Sequence, residues 1–318
     1  MINSAQINSA AMQRFIRLKA NHRLAHAYLL VGPQDSGKTQ TALSVAQLVN
    51  CESAELQACG ECSSCRKIAS GNHPDVHVLG NDDMDSIKIE DIRFLLNRAH
   101  LMAFEARTKV FIIRNIELMT LEAANALLKT LEEPAANTLM ILTTSVLEAN
   151  MDTIKSRCHI VKFFPSSVNR ISQLLKDEGV ASQDAHFLAV YSEGCLGKTR
   201  KLIEQDVILF RRKVLHEMLS NRQNDNFLKE LSANPQEATQ ALRLLLSFFR
   251  DVVLSKSGIA KAALVNQDCL IEIERFAMRG LEELALIIRQ IVQTKELVDE
   301  KLNVKMSLSL LREHIWAR

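Results

Sequence analysis

The chain has 318 residues, of which 47% are apolar and 5% aromatic, and its formal net charge at pH 7 is +2. A chain of this length is too long for one compact core and fits two or three domains. The small net charge argues against a protein that binds nucleic acid alone through a broad basic face, and no apolar stretch is long enough to span a bilayer. We therefore expect a cytoplasmic protein without membrane contact.

The first 165 or so residues alternate short apolar runs with helical patterns. Buried strands are predicted at 28–31, 110–113 and 139–142. Apolar residues recur at i, i+3, i+4 and i+7 from Ala42, and a second helix is predicted from about Thr120 to just before Pro134. Buried strands separated by helices predict a parallel α/β sheet.

A glycine-rich motif follows the first predicted strand. Residues 32–39, the phosphate loop, read GPQDSGKT and match the complete GxxxxGK[ST] pattern between a strand and a helix. The backbone N–H groups of such a loop and the helix N-terminus bind phosphate oxygens, while the lysine reaches the outer phosphates and the threonine holds Mg²⁺. We predict an ATP or ADP site with Mg²⁺ that contains Gly32, Ser36, Gly37, Lys38, Thr39 and Gln40. The alternative is an ordinary glycine turn with a solvated lysine.

Four of the seven cysteines lie close together directly after the phosphate-loop helix, with the spacing C-x7-C-x2-C-x2-C. In a reducing compartment such a cluster indicates metal ligands rather than disulfides. Two overlapping CxxC steps suit tetrahedral zinc, with Zn–S distances of about 2.3 Å, and leave no open position for catalysis. We predict a structural zinc site at Cys51, Cys59, Cys62 and Cys65. A redox pair and an iron–sulfur cluster are the alternatives.

The strand predicted at 110–113 ends without the acids that ATP hydrolysis requires. A phosphate-loop enzyme needs one carboxylate that orders Mg²⁺ and another group that orients the attacking water. Arg114 and Asn115 follow the strand here and can do neither. Glu117 would share the face of Asn115 on a continuing strand but would lie too far along it to be the natural replacement. A catalytic base and a solvated or salt-bridged surface glutamate are the two alternatives for this residue. The sequence thus predicts nucleotide binding without efficient hydrolysis.

Strand signals end at Pro165, and the rest of the chain has helical patterns almost throughout. A break at residues 194–197 contains two glycines. We predict an α/β domain at 1–165 that includes the cysteine module at 51–65, a small helical domain at 166–206, and a helical bundle at 207–318.

Several of these motifs, in their order along the chain, resemble the bacterial clamp-loader AAA+ family. They are HAYL (26–29), the cysteine cluster, NALLKTLEEP (125–134) and SRC (156–158). Two further stretches, SGNHPDV (70–76) and SIKIEDIR (86–93), look like the delta-prime branch of DNA polymerase III subunits rather than the gamma/tau motor branch. The resemblance implies a RecA-like AAA+ domain, a helical lid and a C-terminal helical collar domain that assembles the complex.

The resemblance also implies roles for single residues. Arg157 would be an arginine finger that acts in trans on the ATP site of a neighbouring motor subunit; the alternative is a salt bridge at a helix-to-strand junction. Thr143 and Thr144 match the family's sensor-one region, and Gly197 stands where motor subunits carry a sensor arginine. The implied partners are the gamma/tau and delta subunits, with the sliding clamp and primed DNA reached through the assembled complex.

The leading hypothesis is a stationary clamp-loader subunit that helps to load the sliding clamp during DNA replication. One alternative is an active ATPase of gamma/tau type, against which the missing acids count. Another is a zinc-dependent nucleic-acid binder with a vestigial phosphate loop, which would need a basic surface rich in aromatic residues. Polymerase chemistry is expected only of the whole holoenzyme, because this chain shows no carboxylate pair suited to two-metal catalysis.

Overall fold

The computed structural model describes residues 9–53, 57–81, 84–146, 151–220, 225–300 and 302–316. Two compact units make up the chain. The first comprises residues 1–166 with 195–198, and the second comprises residues 167–194 with 199–318. The division of the chain into three domains stays a prediction, and its outer limits at residues 1 and 318 lie outside the described residues.

A parallel five-stranded sheet forms the centre of the first unit. Its strands are β1 (Ala27–Val31), β2 (Val76–Leu79), β3 (Lys109–Ile113), β4 (Thr138–Thr144) and β5 (His159–Lys162). They pair in parallel in the order β2-β3-β4-β1-β5. The three predicted strands lie within β1, β3 and β4, and the predicted RecA-like α/β fold is confirmed. Because β4 lies between β1 and β3, the carboxyl ends of these three strands are neighbours.

Helices cover both faces of this sheet. They are α1 (Ser9–Ala20), α2 (Lys38–Asn50), α3 (Ser63–Ala69), α4 (Ile89–His100), α5 (Leu121–Glu132) and α6 (Asp152–Lys155). Alternate residues of β1 point to opposite faces, so that Tyr28 and Leu30 pack with α1 to α3 while Leu29 packs with α4 to α6. The hydroxyl of Thr120 accepts a hydrogen bond from the Ala123 N–H, which confirms the predicted start of α5.

The chain after residue 166 is helical, as predicted. Its helices are α7 (Val168–Asp177), α8 (Ser182–Tyr191), α9 (Leu196–Glu204), α10 (Val207–Leu219), α11 (Asp225–Ala233), α12 (Pro235–Lys256), α13 (Leu270–Ala277), α14 (Leu281–Asp299) and α15 (Val304–Trp316). One hydrophobic core joins α10 to α15, with Phe248 and Phe249 of α12 fully buried in it. None of the helices in the described part of the chain combines the length and apolar character that a membrane span requires.

A buried polar network crosses the second unit beside this core. Arg211 of α10 is 1% exposed. Its guanidinium donates to Asp268 Oδ2 at 2.9 Å and to Asn266 Oδ1 at 3.0 Å. Asn266 in turn donates to the buried carboxylate of Asp251 at 2.8 Å. A buried arginine of this kind is tolerated because its donors are paired.

Candidate functional site

The phosphate loop connects β1 to α2 at the carboxyl edge of the sheet. Gly37 has a φ of 88°, a left-handed conformation that favours glycine. At Gly32, a Cβ atom would lie 2.4 Å from the Phe163 carbonyl oxygen, so only glycine fits against the end of β5. The loop therefore has the conformation that its glycines predict. It brings together the six predicted nucleotide-site residues, Gly32, Ser36, Gly37, Lys38, Thr39 and Gln40.

Lys38 is the first residue of α2, and its side chain folds back over the loop. It is 6% exposed, and its Nζ donates to the carbonyl oxygens of Gly32 at 2.7 Å and Pro33 at 2.6 Å. Burial lowers the pKa of Lys38, and among the charges that oppose this shift that of Glu117 is the strongest. The lysine cation is thus held within the loop, in electrostatic reach of a carboxylate from another strand end.

Glu117 does not lie on a continuing strand. β3 ends at Ile113, Asn115 has a left-handed φ of 52°, and a 3₁₀ turn follows at Ile116–Leu118. This turn directs the Glu117 carboxylate to the end of β4, where Oε1 accepts hydrogen bonds from Ser145 N at 3.0 Å and Ser145 Oγ at 2.5 Å. The assumption that β3 continues to Glu117 was therefore wrong.

The charge of Glu117 is stabilised at this position. Burial acts to raise the pKa of its carboxyl, but hydrogen bonds, first that from the Ser145 hydroxyl, outweigh burial and hold the pKa below its usual value. The second oxygen, Oε2, is buried and has no hydrogen-bond partner among the described residues. Glu117 is therefore an ionised carboxylate with one acceptor oxygen unused.

The end of β4 connects the phosphate loop to the end of β3. The Thr144 carbonyl accepts a hydrogen bond from Gly32 N at 3.2 Å. Thr143 Oγ1 accepts from Asn115 N at 3.2 Å, and Thr144 Oγ1 donates to the Val146 carbonyl at 2.6 Å. Both threonines predicted as a sensor region are buried here, and they fix two loops relative to each other.

Gly197 lies directly against the phosphate loop. Its N–H donates to the Asp35 carbonyl at 3.1 Å, and a Cβ atom at this position would lie 2.6 Å from the same oxygen. A side chain at residue 197 would therefore require the loop to move. An arginine cannot occupy this position in the observed conformation.

The four predicted zinc ligands form one cluster. The Sγ atoms of Cys51, Cys59, Cys62 and Cys65 all lie within 4.8 Å of one another, and those of Cys51 and Cys59 are 3.5 Å apart. Tetrahedral zinc with Zn–S bonds of about 2.3 Å requires sulfur atoms about 3.8 Å apart. The cluster could therefore hold a metal ion with only small side-chain adjustments.

Two helix ends and several backbone N–H groups position these thiols. Cys51 follows the last residue of α2, and Cys62 caps the start of α3. Burial opposes ionisation of Cys62, but hydrogen bonds from the backbone of Glu52 and Cys65 outweigh it and lower its pKa to about 7. By contrast, burial raises the pKa of the Cys65 thiol to about 12. A bound cation would favour the thiolate at every position.

Arg157 lies between α6 and β5 and forms an ion pair with the last residue of α5. Its Nε donates to Glu132 Oε1 at 2.7 Å, and Nη2 contacts the same oxygen. Nη1 donates to the Thr153 carbonyl at 2.9 Å. The arginine side chain is 31% exposed and that of Glu132 50% exposed. In the single chain, Arg157 thus forms the salt bridge that was the alternative to a finger; a role in trans stays a prediction.

The sequence did not predict the contacts that Glu132 and Asp35 make with two candidate site residues. Glu132 pairs with Arg157 across 25 residues, and Asp35 contacts Gly197 through its backbone. The sequence offers no local signal for either contact. The change of direction after β3 did have a local signal, Asn115, because asparagine adopts left-handed backbone conformations more readily than most residues.

Comparison with known proteins gives concordant matches along the chain. A family described as "DNA polymerase III, delta subunit" matches residues 7–167, and one described as "DNA polymerase III, delta subunit, C terminal" matches residues 208–313. DNA polymerase III subunit delta' of Bacillus subtilis is 30% identical over 301 residues, which cover 92% of this chain and 90% of the relative.

Two further relatives match shorter parts. Subunit delta' of Pseudomonas aeruginosa is 40% identical over 142 residues, or 44% of this chain and 43% of the relative. Subunit tau/gamma of Haemophilus influenzae is 31% identical over 208 residues, or 63% of this chain and 30% of the relative. Among these three relatives, the delta' subunit of Bacillus subtilis is the one that matches over nearly the full length of both proteins.

Proposed function

The chain belongs to the DNA polymerase III delta' family, and on that premise we propose that it is a stationary subunit of the bacterial clamp loader. In this role it assembles with gamma/tau motor subunits and a delta subunit, and helps to load the sliding clamp on primed DNA. The observation that carries the proposal is the match to subunit delta' over 92% of this chain. A motor role has less support, because Arg114 and Asn115 stand where hydrolysis needs acids at the end of β3.

The phosphate loop is proposed to bind ATP or ADP with Mg²⁺. Lys38 would contact the outer phosphates, Thr39 would hold the ion, and the N-terminus of α2 would add partial positive charge. The left-handed Gly37 and the buried Lys38 fit this ligand. Efficient hydrolysis is not expected, because Arg114 and Asn115 stand where acids are needed at the end of β3.

The cysteine cluster is proposed to hold one structural zinc ion. All four ligand atoms come from one short stretch that runs from the residue after α2 to the first turn of α3. Gln47 of α2 adds a hydrogen bond to the Cys65 carbonyl at 3.0 Å, so the metal would fix the segment against a helix already anchored in the core. Four thiolates leave zinc no position for water, which supports a structural role.

Arg157 is proposed to act as an arginine finger toward the nucleotide of a neighbouring subunit. Its pair with Glu132 is substantially exposed on both sides, and pairs of this kind contribute only about 0–1 kcal/mol. A phosphate of a neighbour can therefore displace the Glu132 carboxylate at small cost. In the single chain, Glu132 pairs with the guanidinium of Arg157.

Reconstitution tests the proposed function. Mixed with the gamma/tau and delta subunits of its own organism, the chain should enter a stable complex in size-exclusion chromatography. That complex should load the sliding clamp on primed DNA faster than a mixture without the chain. If the chain remains separate from the other subunits, or if loading is the same without it, the proposed function is wrong.

A further inference from the structure

Besides Asp35 of the phosphate loop itself, Glu117 is an acidic side chain whose charge acts on Lys38, and it comes from the end of another strand. We infer that Glu117 supplies the carboxylate that orders the magnesium ion of a bound nucleotide, in place of the acid missing from the end of β3. This inference rests on the proposed binding of nucleotide. Glu117 lies outside the positions directly after the strand where the acids of phosphate-loop proteins are usually sought. In this role, Glu117 makes nucleotide affinity depend on Mg²⁺.

The backbone explains how a residue four positions beyond β3 reaches the site. The strand ends at Ile113, and the left-handed Asn115 reverses the chain into the 3₁₀ turn that contains Glu117. The Asn115 N–H bonds to Thr143 Oγ1 and thereby holds this reversal against β4. The position of Glu117 is thus fixed by the adjacent strand as well as by its own turn.

Short links connect the carboxylate to the phosphate loop. Ser145 holds Glu117 Oε1 through both its N–H and its hydroxyl. The preceding residue, Thr144, accepts the hydrogen bond from Gly32 N at the start of the loop. Glu117 and the loop are therefore attached to consecutive residues at one strand end, Ser145 and Thr144.

The chemistry of the carboxylate suits a hard cation. Oε1 is already occupied by two donors from Ser145, which fixes the orientation of the group. Oε2 is buried and lacks a hydrogen-bond partner among the described residues, and such an oxygen is costly unless something binds it. Mg²⁺ prefers carboxylate oxygens together with water and phosphate oxygens, and Thr39 supplies the hydroxyl on the loop side. Arg114 and Asn115 offer no competing carboxylate.

The test measures nucleotide affinity rather than turnover. A fluorescent, non-hydrolysable ATP analogue is titrated into the full chain, once with Mg²⁺ and once with EDTA. The variants are Glu117→Gln, which keeps an oxygen for Ser145 but removes the charge, and Glu117→Asp, which keeps the charge. Glu122→Gln is the matched control, because Glu122 is an exposed glutamate five residues further along the chain. Circular dichroism verifies that each variant is folded.

The expected result is a change in the magnesium effect alone. Mg²⁺ should strengthen binding to the wild type and to Glu122→Gln. Glu117→Gln should lose about tenfold or more of that gain, in line with the effect of removing groups that position a metal, and Glu117→Asp should retain part of it. In EDTA, Glu117→Gln should bind at least as tightly as the wild type, because a negative charge beside the phosphates has been removed.

Other outcomes separate the two proposals. An equal magnesium effect in the wild type and Glu117→Gln, or equal weakening of the variant with and without Mg²⁺, would overturn the role of Glu117 while nucleotide binding stands. A wild-type affinity that does not depend on Mg²⁺ would do the same. If the wild type binds no nucleotide in either condition, the proposed nucleotide site fails and the inference fails with it.

Discussion

Arg211 offers a sharp test of the energetics of the second unit. The substitution Arg211→Met removes the partner of Asp268, whose side chain is 18% exposed, and of Asn266, which is 1% exposed. It also removes the guanidinium that lies 4.2 Å from the Phe187 ring centroid. Breaking a buried ion pair by deleting one partner costs about 3–5 kcal/mol. Because Asp268 retains some solvent contact, we expect a loss near the lower limit, about 3 kcal/mol.

The only tryptophan of the chain reports on this unit directly. Trp316 lies in α15, and its Nε1 donates to the Met218 carbonyl of α10 at 3.2 Å. Urea unfolding followed by tryptophan fluorescence should therefore show the destabilisation caused by Arg211→Met. The control is Lys261→Ala, whose pair with Glu274 is more than half exposed on both sides and should cost less than about 1 kcal/mol.

A second substitution and a pH series sharpen this test. The double variant Arg211→Met with Asp268→Leu should be more stable than Arg211→Met alone, because no charge is left unpaired. Burial acts to raise the pKa of Asp268, but Arg211 outweighs it and holds the pKa below its usual value. A carboxyl whose pKa is lower in the folded state stabilises the fold above its unfolded-state pKa of about 4. This contribution to stability is lost as the pH falls through the pKa of the folded state. The loss of unfolding free energy caused by Arg211→Met should therefore be smaller at acidic pH. If Arg211→Met loses no more unfolding free energy at neutral pH than Lys261→Ala, the buried pair does not stabilise the second unit.

Three further substitutions test the candidate sites. Cys62→Ser should abolish the single zinc ion per chain found by metal analysis, whereas Cys158→Ser, a change outside the cluster, should leave zinc content intact; zinc retained by Cys62→Ser would contradict the metal site. Lys38→Ala should weaken binding of the ATP analogue by about tenfold or more, since a charge-assisted contact to phosphate is lost; unchanged affinity would mean that the loop does not hold phosphate. Gly197→Arg should lower the thermal midpoint of unfolding and weaken nucleotide binding, because its Cβ would lie 2.6 Å from the Asp35 carbonyl oxygen; a fully stable variant with normal affinity would show that the loop can move aside.

Local patterns were sufficient for much of the fold, for the conformation of the phosphate loop and for the grouping of the four cysteines. The β1 strand, the phosphate loop and α2 follow one another in a continuous segment, so periodicity and glycine placement predict them together. The cysteine cluster was predictable for the same reason, because its ligands and the geometry that unites them lie in one short stretch. The buried arginine network of the second unit gave no such signal, since Arg211 and Asp268 are 57 residues apart.

The contacts that the sequence did not reveal join distant parts of the chain. Glu117 reaches the site only because Asn115 adopts a left-handed conformation and Ser145, 28 residues further on, binds the carboxylate. An extrapolated strand placed the residue wrongly for this reason. The close approach of Gly197 to the phosphate loop likewise depends on tertiary packing. Sequence patterns therefore predict what a segment forms, while the partners of a side chain depend on how segments meet.

ATP turnover in the reconstituted complex distinguishes a stationary subunit with an arginine finger from a motor subunit. Turnover is measured for the chain alone and for the complex with the motor and delta subunits, the sliding clamp and primed DNA, with wild type, Arg157→Ala and the neighbouring control Lys155→Ala. The chain alone should show little turnover. Adding the wild-type chain should raise turnover in the complex. Arg157→Ala should remove that increase, because turnover at the neighbouring ATP site should fall about a hundredfold or more. Lys155→Ala should keep the increase. DNA-stimulated turnover by the isolated chain, or a complex indifferent to Arg157→Ala, would contradict the role of a stationary subunit with an arginine finger.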